Sequence, residues 1–576
     1  MTNKELKNLK DTLWQSADTL RADSGLKSSE YATPILGLIF LRFAESKYKG
    51  HEESILAEYN KLKGTRMERE MSEIAIEKCG FYLPDEARYE YLLNLPETDN
   101  IPEKVKQAMV DIEKYTKELE DTLPKDEYYA VDGKDGKAVV KKLLKTFKDI
   151  PDNISIDIFG EIYEYFLGKF ALAEGQGGGE FFTPSTVVRY MVEVLSPTEG
   201  EIFDPACGSG GMFVQTAHYI AKHKANGKDI NLRAYGVEKT GATVKLAKMN
   251  LALNNIRGTI TEANSYYNDP YSCFGRFDYV MANPPFNVDG IELADVKDQA
   301  RFNTYGVPQN KTKGKKSAGE TVPNGNYLWI NMFATSLKEN TGKAALVMAN
   351  SASDAGNSEK DIRIKLIESG IVSQMVTLPS NMFSTVTLPA TLWFFDATHK
   401  NKDEILFIDA RNVFTQIDRA HRSFSDEQIK NLAIISRLYE GETEDFTELI
   451  NEYKAEITRL ENGGEIEETK DIAYWQSNID WLLERFPDGK YKDVTGLCKA
   501  AKIEGEDGIK DQDYSLNPGR YVGVVIEDDG LTEEEFKAEM MSLQAELEKL
   551  NNEARGLEGK IAENLKSLFG GEVDND

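Results

Sequence analysis

The sequence predicts an α/β protein with a doubly wound parallel sheet, an N-terminal helical domain and a C-terminal coiled-coil-like helix. Three observations lead to this fold class. Between Phe181 and about Asp409, short apolar runs alternate with helical segments of about 10–15 residues, as in a sheet covered by helices on both faces. Residues 1–150 carry helical patterning with few strand-like runs. Near the C-terminus, apolar residues recur in a heptad series.

These patterns divide the chain into five segments. The clearest boundary is the run Ala173–Gly179, which contains four glycines in seven residues and cannot form a helix. A short helix from about Phe159 to Lys169 leads into it. We expect an N-terminal helical domain at 1–150, a linker with a Gly-rich loop at 151–180, an α/β domain at 181–410, a C-terminal extension at 411–530, and a heptad helix with an acidic tail at 531–576.

Within the α/β domain, apolar runs of strand length mark the sheet, and two longer patterns mark helices at Gly211–Ala225 and Thr240–Asn254. Because the strands alternate with helices, we expect them to be parallel. The predicted strands are Glu201–Phe203, Leu232–Val237, Phe277–Ala282, Ala344–Ala349, Ile371–Leu378 and Leu392–Asp396.

The C-terminal heptad residues are spaced alternately four and three positions apart, which places them on one narrow seam of a helix. A helix packed on the core of its own chain is one interpretation. The narrow seam on an acidic helix favours a partner helix instead, and therefore a protein–protein element. The seam consists of Phe536, Met540, Leu543, Leu547, Leu550, Ala554, Leu557 and Ile561.

The composition favours a soluble protein of the cytosol. The 576 residues include 69 Lys and Arg against 97 Asp and Glu, a net charge of −28, whereas nucleic-acid binders usually have a basic footprint. Any contact with DNA should therefore use a local basic patch or a more basic partner. Scattered cysteines without a CxxC pair, and histidines without metal spacing, predict no metal site and no disulfide framework. The longest apolar run, Ile35–Leu41, is too short to span a membrane.

A glycine-rich turn follows the first strand of the α/β domain, in Asp204–Gly211. It lacks the G-x-G-x-x-G spacing of dinucleotide sites and is not a P-loop. Glycines let a ligand approach the backbone closely, and Glu238 at the end of the next strand is placed to bind ribose hydroxyls. The turn therefore indicates a ligand that carries a ribose, although a merely tight turn is the alternative interpretation.

The strand that ends at Ala282 runs directly into Asn283-Pro284-Pro285-Phe286. Two prolines make a stiff exit with few hydrogen-bond donors. Such a segment can present the Asn283 side-chain oxygen and the Pro284 carbonyl side by side, as two acceptors for one planar NH₂ group. Phe286 offers a flat face on which a base can stack. A purely structural Pro-Pro turn is the alternative, and the nearby glycine-rich turn disfavours it.

DPACGSGG, YGVE and NPPF together resemble the S-adenosylmethionine-dependent amino-methyltransferases of DNA. The upstream segment Glu180–Pro184 is similar to the FTP motif that precedes the glycine motif in their γ-ordered group. Residues 13–43, LPATLWFF at 388–395 and LNPGRYV at 516–522 resemble the modification subunit of type I restriction–modification systems. The resemblance extends from about residue 10 to 525 and implies a Rossmann-like methyltransferase sheet.

The resemblance also implies roles for individual residues. Glu238 would bind the cofactor's ribose, and Asn264 would lie near its adenine. Asn283 and Pro284 would accept the target N6 amine, with Pro285 stiffening the segment and Phe286 stacking on a flipped adenine. The adenosyl and methionine parts of S-adenosyl-L-methionine would be flanked by Glu180, Phe181, Phe182, Thr183 and Pro184. Its methionine portion would be held by Asp204, Ala206, Gly208, Ser209 and Gly210.

A modification subunit of this type implies DNA as substrate and a specificity subunit that reads the sequence. It also implies a second copy of the chain, in an assembly of two modification subunits with one specificity subunit, and a restriction subunit. All of these would work in the prokaryotic cytoplasm, without a membrane. The heptad helix would then dock on helices of the specificity subunit. The polar stretch between Asn287 and Asn326 contains Lys311, Lys313, Lys315 and Lys316, which form either a solvated loop or a contact to DNA.

Two other functions remain open at this point. Glutamine-side-chain methyltransferases of proteins also use an N-P-P motif to hold an amide NH₂, but they are shorter and lack the helical flank and the FTP segment. A non-catalytic assembly protein that retains the fold would fail to bind the cofactor. A C5-cytosine methylase is disfavoured, because the sequence contains no Pro-Cys pair for the nucleophile and Cys207 lies in the glycine turn.

Overall fold

The computed structural model describes residues 3–25, 27–132, 138–151, 156–173, 183–223, 231–309, 320–383, 389–399, 401–419, 421–466, 469–525 and 532–569. The chain forms two compact units, Met1–Gly523 and Val524–Asp576. Among the helices in these ranges, none combines the length and the apolar character needed to cross a membrane.

The N-terminal part consists of helices around α2, in which residues 34–45 are all buried and, except for Arg42 and Glu45, apolar. These helices pack together and contact Met249 and Leu253 of the α/β part. The buried Lys141 ammonium donates to the carbonyls of Leu92, Leu93 and Leu95 and so supports the end of α4. The helices are α1 (Asn3–Ser24), α2 (Ser28–Leu62), α3 (Met71–Cys79), α4 (Tyr89–Asn94), α5 (Ile101–Tyr115), α6 (Glu127–Asp132), α7 (Val139–Phe147) and α8 (Ile156–Ala173).

Helix α8 lies in the segment that the sequence assigned to the linker. It packs apolar side chains such as Ile162 and Phe166 into the core of the N-terminal helices, because its buried positions recur at helical spacing. The Gly-rich loop at 175–179 and the lysine cluster at 311–316 lie outside the described residues.

A nine-stranded sheet forms the centre of the α/β part, in the order β13-β10-β8-β9-β7-β4-β1-β2-β3. Two short two-stranded sheets, β11–β12 and β5–β6, stand apart from it. The strands are β1 (Gly200–Asp204), β2 (Leu232–Glu238), β3 (Arg257–Glu262), β4 (Tyr279–Ala282), β5 (Ile291–Glu292), β6 (Thr321–Val322), β7 (Lys343–Ala349), β8 (Val372–Thr377), β9 (Ala390–Asp396), β10 (Glu404–Asp409), β11 (Thr415–Gln416), β12 (Arg422–Ser423) and β13 (Cys498–Lys502).

The mixed α/β fold class is confirmed, but the expectation that all strands are parallel is wrong for β9. This strand inserts between β7 and β8 and runs antiparallel to both. Residues 378–389 connect β8 to β9, with no helix among the described ones, and a parallel return needs a longer crossover, usually a helix. Strand β13 is also antiparallel, and it comes from the segment expected to be a C-terminal extension.

Helices cover both faces of the sheet. Strand residues alternate between two cores, so that Ile202 and Met281 face one and Phe203 and Val280 the other. Every residue of α14 is buried. The helices are α9 (Ser185–Leu195), α10 (Gly211–His223), α11 (Gly241–Leu253), α12 (Leu293–Val296), α13 (Ala300–Asn303), α14 (Asn326–Thr335), α15 (Asn357–Glu368), α16 (Asp426–Glu440), α17 (Thr443–Glu461) and α18 (Ile472–Arg485).

The second unit contains a single long helix, α19 (Glu533–Phe569), which holds the whole heptad seam. Among the described residues of this unit, no second element is present to cover the seam.

Candidate active site

Three of the predicted site residues lie at the carboxyl ends of three adjacent parallel strands. In the sheet β1 lies between β4 and β2, and the register pairs Asp204 of β1 with Gly236 of β2 and Phe203 with Val280 of β4. Asp204, Glu238 and Asn283 therefore stand at the carboxyl edge of the sheet. The chain moves outward from β1 in both directions here, which is where open α/β sheets bind ligands.

The glycine-rich turn after β1 is held by backbone hydrogen bonds. The Cys207 N–H donates to the Val237 carbonyl at 3.0 Å, and the Gly210 N–H donates to the Cys207 carbonyl at 2.8 Å. Gly208 has φ +51°, and a Cβ at this position would meet nothing within 4 Å. The turn is therefore left-handed at Gly208 and has open space beside it, as a site for a closely approaching ligand requires.

Asp204 stabilises the same turn from inside. Its side chain is buried, and its Oδ1 accepts the Ala206 N–H at 2.9 Å. Burial raises the pKa of the Asp204 carboxyl well above its usual range, and the nearby Glu238 charge raises it further, while the Ala206 N–H acts in the opposite direction.

Glu238 connects the end of β2 to the glycine turn. Its Oε2 accepts the Gly208 N–H at 3.2 Å, and its Oε1 accepts the Thr240 N–H at 2.9 Å. An ionised carboxylate offers about four acceptor positions, so each oxygen retains capacity for a further donor such as a hydroxyl.

Asn264 occupies a turn after β3. Its Oδ1 accepts the Tyr266 N–H at 3.1 Å, and its carbonyl accepts the N–H groups of Tyr267 and Asn268. The next residue, Ser265, was not predicted, but its buried Oγ donates to the Pro205 carbonyl at 2.5 Å. Ser265 thus ties the loop after β3 to the glycine turn.

Asn283 has one satisfied and one unsatisfied side-chain group. Its Nδ2 donates to Thr183 Oγ1 at 3.0 Å, whereas its buried Oδ1 accepts no hydrogen bond from the described part of the chain. Pro284 is buried, and Phe286 is partly buried against the cores on both faces of the sheet. A buried acceptor without a partner is costly in a folded protein, and its presence here indicates a site for a donor.

The FTP segment is only partly described. Glu180, Phe181 and Phe182 lie outside the described residues, while Thr183 and Pro184 directly precede α9. Helix α9 is attached to α16 by an ion pair of 2.6 Å between Arg189 and Asp426. The structure therefore brings Thr183 to Asn283 across 100 positions of sequence.

Sequence reasoning missed the residues that support these loops. Asn250 Nδ2 donates to the Ser209 carbonyl at 2.9 Å, and Asn287, Asn324 and Asn326 interact behind the Asn283–Phe286 segment. The pattern Asn324-Gly325-Asn326 before an apolar run is typical of a helix start and was the available signal.

A cavity of about 690 Å³ lies among α8, α9, α10 and α16. Its lining includes Glu164, Arg189 and His218 and none of the predicted site residues. The predicted site is thus defined by its chemistry rather than by this cavity.

Comparison with known proteins identifies the family of the chain. Residues 154–529 match the N-6 DNA methylase family, and residues 9–147 match the HsdM N-terminal domain. The type I restriction enzyme MjaIX methylase subunit of Methanocaldococcus jannaschii is 34% identical, over 96% of this chain and 90% of that protein. The HindI methylase subunit of Haemophilus influenzae is also 34% identical, over 72% of this chain and 78% of the relative.

A solved structure shares the fold. The type I restriction–modification methyltransferase subunit from Streptococcus thermophilus superimposes with a TM-score of 0.66 at 19% identity, over 91% of this chain and all of the other. Because the family match spans more than half of the chain and the relatives match along most of theirs, the protein-glutamine alternative loses its support. The chain belongs to the N-6 DNA methylase family, as a type I restriction–modification methylase subunit and a DNA adenine methyltransferase.

Proposed function

We propose that the chain methylates adenine at the carboxyl edge of the sheet, with Asn283 as the key acceptor for the N6 amine. One observation carries this proposal: the buried Asn283 Oδ1 has no donor among the described residues, while Thr183 fixes the other end of the same amide. An exocyclic NH₂ supplies the missing donor.

The chemistry of the amine explains why two acceptors are needed. The lone pair of an aromatic amine is delocalised into the ring, so the nitrogen is a poor nucleophile. Hydrogen bonds to Asn283 Oδ1 and the Pro284 carbonyl favour a tetrahedral nitrogen and stabilise its developing positive charge. Pro285 stiffens the segment, and Phe286 stacks on the flipped base, whose extrusion from the duplex costs a few kcal/mol.

S-adenosyl-L-methionine is the proposed cofactor, and when bound it supplies an electrophilic methyl group. The residues present fit it, because the space beside Gly208 leaves room and Glu238 retains acceptor capacity for ribose hydroxyls. Asn264 is proposed near the adenine, in addition to its role in the turn. The methionine portion is assigned to Asp204, Ala206, Gly208, Ser209 and Gly210, and the flanking positions to Glu180, Phe181, Phe182, Thr183 and Pro184.

The net charge of −28 favours a partner that binds the duplex. We therefore propose that a specificity subunit reads the DNA, that two copies of this chain join one such subunit and methylate, and that a restriction subunit completes the complex. We retain the five segments proposed from the sequence, in which 531–576 forms the docking element. If α19 docks on helices of the specificity subunit, deletion from about residue 530 onward weakens assembly and reduces co-purification. Undiminished co-purification contradicts this docking.

The test of the function is transfer of labelled methyl from S-adenosyl-L-methionine to DNA by the chain co-expressed with its specificity subunit. The wild type should form N6-methyladenine, and Asn283→Ala should lose it while still binding the cofactor. A matched control is Asn350→Ala, since Asn350 also follows a parallel strand, β7, but its Oδ1 already accepts a hydrogen bond from Thr391 at 2.7 Å.

Three outcomes decide the matter. Loss of methylation in Asn283→Ala but not in Asn350→Ala supports the assigned role of Asn283. Equal loss in both variants contradicts it. Cofactor binding by the wild-type complex without methylated DNA overturns DNA as the substrate.

A further inference from the structure

We propose that Asn287, Asn324 and Asn326 form an amide clamp that positions the Asn283–Phe286 segment for methyl transfer. This inference rests on the proposed function of that segment. The clamp residues have no assigned role in binding the cofactor or the base. They act through the segment they hold, as positioning residues.

The clamp is centred on Asn287, which directly follows Phe286. The Asn287 N–H donates to Asn326 Oδ1 at 2.8 Å. Its side-chain Oδ1 accepts two hydrogen bonds, from Asn326 Nδ2 at 2.9 Å and Asn324 Nδ2 at 3.0 Å. Asn287 is thus bound through both its backbone and its side chain.

The other half of the clamp is fixed to the core. Asn326 is 2% exposed and is the first residue of the entirely buried helix α14. Asn324 Oδ1 accepts the Asn326 N–H at 2.8 Å, and the Gly325 N–H donates to the Val288 carbonyl at 2.8 Å. A Cβ on Gly325 would lie 2.6 Å from Tyr266 Oη, so the backbone here packs tightly.

The position of the clamp in the chain explains what it holds together. The described residues between 288 and 323 form an excursion with β5, α12, α13 and β6, and the clamp joins the two ends of this excursion. The segment that carries Asn283 is therefore fastened to α14 directly, rather than through the excursion.

Position 287 requires a residue that tolerates a left-handed backbone and carries a side-chain acceptor. Its φ of +56° lies in the left-handed region, which asparagine tolerates better than most residues. The position also needs a side-chain acceptor for two amide donors, which glycine cannot supply. Asparagine or aspartate meets both demands.

The main test compares two buried asparagines of helix α14 in the assembled complex. Asn326→Ala removes two of the three hydrogen bonds that the clamp makes with Asn287. Asn331→Ala removes two hydrogen bonds from the same helix to the excursion, to the Phe302 and Gly306 carbonyls at 2.9 and 2.8 Å. We expect the single-turnover methylation rate, at saturating cofactor and DNA, to fall about 10- to 100-fold in Asn326→Ala, because displacement of about 1 Å can cost about 100-fold in rate. Asn331→Ala should stay within about threefold of the wild type.

Base flipping provides the readout that a merely structural role would not change. With 2-aminopurine at the target position, Asn326→Ala should bind DNA and cofactor with unchanged dissociation constants but show an altered fluorescence of the flipped base. Equal rates in Asn326→Ala and Asn331→Ala, or unchanged 2-aminopurine fluorescence in Asn326→Ala, would overturn the clamp.

The exposed Asn287 keeps the test decisive if Asn326→Ala fails to fold. Asn287→Asp retains the acceptor and should methylate at a rate close to that of the wild type, whereas Asn287→Gly retains the left-handed backbone but should lose rate. Equal rates in these two variants contradict the clamp. If the wild-type complex itself makes no N6-methyladenine, the proposed function fails instead.

Discussion

The loops that follow β1 and β4 stand at the same edge of the sheet, but different groups hold them. The glycine turn after β1 is held first by backbone hydrogen bonds, within the turn and to neighbouring β2. The side chains of Asn250 and Ser265 add hydrogen bonds to its carbonyls. The segment after β4 is held by side-chain amides and hydroxyls, from Thr183 on one side and from Asn324 and Asn326 on the other.

The prolines explain the difference. Pro284 and Pro285 have no N–H groups, so the segment can form few backbone hydrogen bonds of its own. Side chains from distant parts of the sequence must hold it, and the Asn283 Oδ1 stays available as a result. The segment after β4 is thus held mainly by side chains, whereas the glycine turn combines backbone hydrogen bonds with side-chain ones from Asn250 and Ser265.

The largest effect that separates the two loops is expected from Glu238→Ala. The variant removes the acceptor of the Gly208 and Thr240 N–H groups, and hydrogen bonds to a charged group contribute about 1.5–3 kcal/mol each. We expect the Kd for S-adenosyl-L-methionine to rise about 100-fold, measured by calorimetry. Glu262→Ala, at the paired position of β3, is the matched control. An equal rise in both variants contradicts the specific role of Glu238.

The packing of the glycine turn is tested by Gly236→Ala. A Cβ there would lie 2.6 Å from Ile260 Cδ1 and 2.8 Å from Cys207 Sγ. We expect the free energy of unfolding to fall by about 1–3 kcal/mol, because overpacking displaces the turn. Urea unfolding measures this change, with Gly211→Ala as a control whose Cβ meets nothing within 4 Å. If the urea midpoint of Gly236→Ala equals that of the wild type, the turn accommodates the added methyl group without loss of stability.

The external support of Asn283 is tested by Thr183→Val. The substitution keeps the volume but removes the Oγ1 that accepts from Asn283 Nδ2. We expect the single-turnover methylation rate at saturating cofactor to fall about 10-fold, which corresponds to about 1.4 kcal/mol of lost orientation. Thr183→Ser keeps the hydroxyl and should retain most of the rate. Equal rates for the two variants would show that this hydrogen bond does not orient the amide.

The smallest effect is expected from Asp204→Asn. Its effect on the free energy of unfolding should be near zero at low pH and should increase as the pH rises. Burial raises the pKa of Asp204 in the folded state above the unfolded value of about 3.9. Between these two values the folded state holds a proton that the unfolded state has released, so the wild-type free energy of unfolding decreases with rising pH. Asparagine keeps the acceptor for the Ala206 N–H without this loss.

Urea unfolding of both proteins from about pH 4 to about pH 7 checks this prediction. The stability difference should start near zero and increase in favour of Asp204→Asn. If the stability difference between the two proteins does not change with pH, the carboxyl of Asp204 does not titrate differently in the folded and unfolded states over this range, and the prediction is wrong.

The positions of most strands could be predicted from the sequence, but the direction of β9 and several supporting residues could not. Alternating apolar runs located β1, β2, β4, β7, β8 and β9 to within a few residues, because each is a short apolar segment bounded by turn formers. The direction of β9 could not be read, since an apolar strand carries no signal of its orientation, and its place between β7 and β8 depends on contacts across the sheet. Ser265 and the clamp asparagines were missed for a similar reason, because a lone Ser or Asn is usually a turn former.

By itself, the sequence determined the residue types of the proposed site: a glycine turn after one strand, a carboxylate at the end of the next, and an Asn-Pro-Pro-Phe segment after a third. These features are local, because glycine, proline and strand patterning act on the chain within a few residues. Only the tertiary structure decided which polar groups of these loops have hydrogen-bond partners and which do not. Thr183 and Asn326 reach the loop after β4 from far along the chain, and hydrogen bonds over such separations exist only once the sheet and α14 have packed.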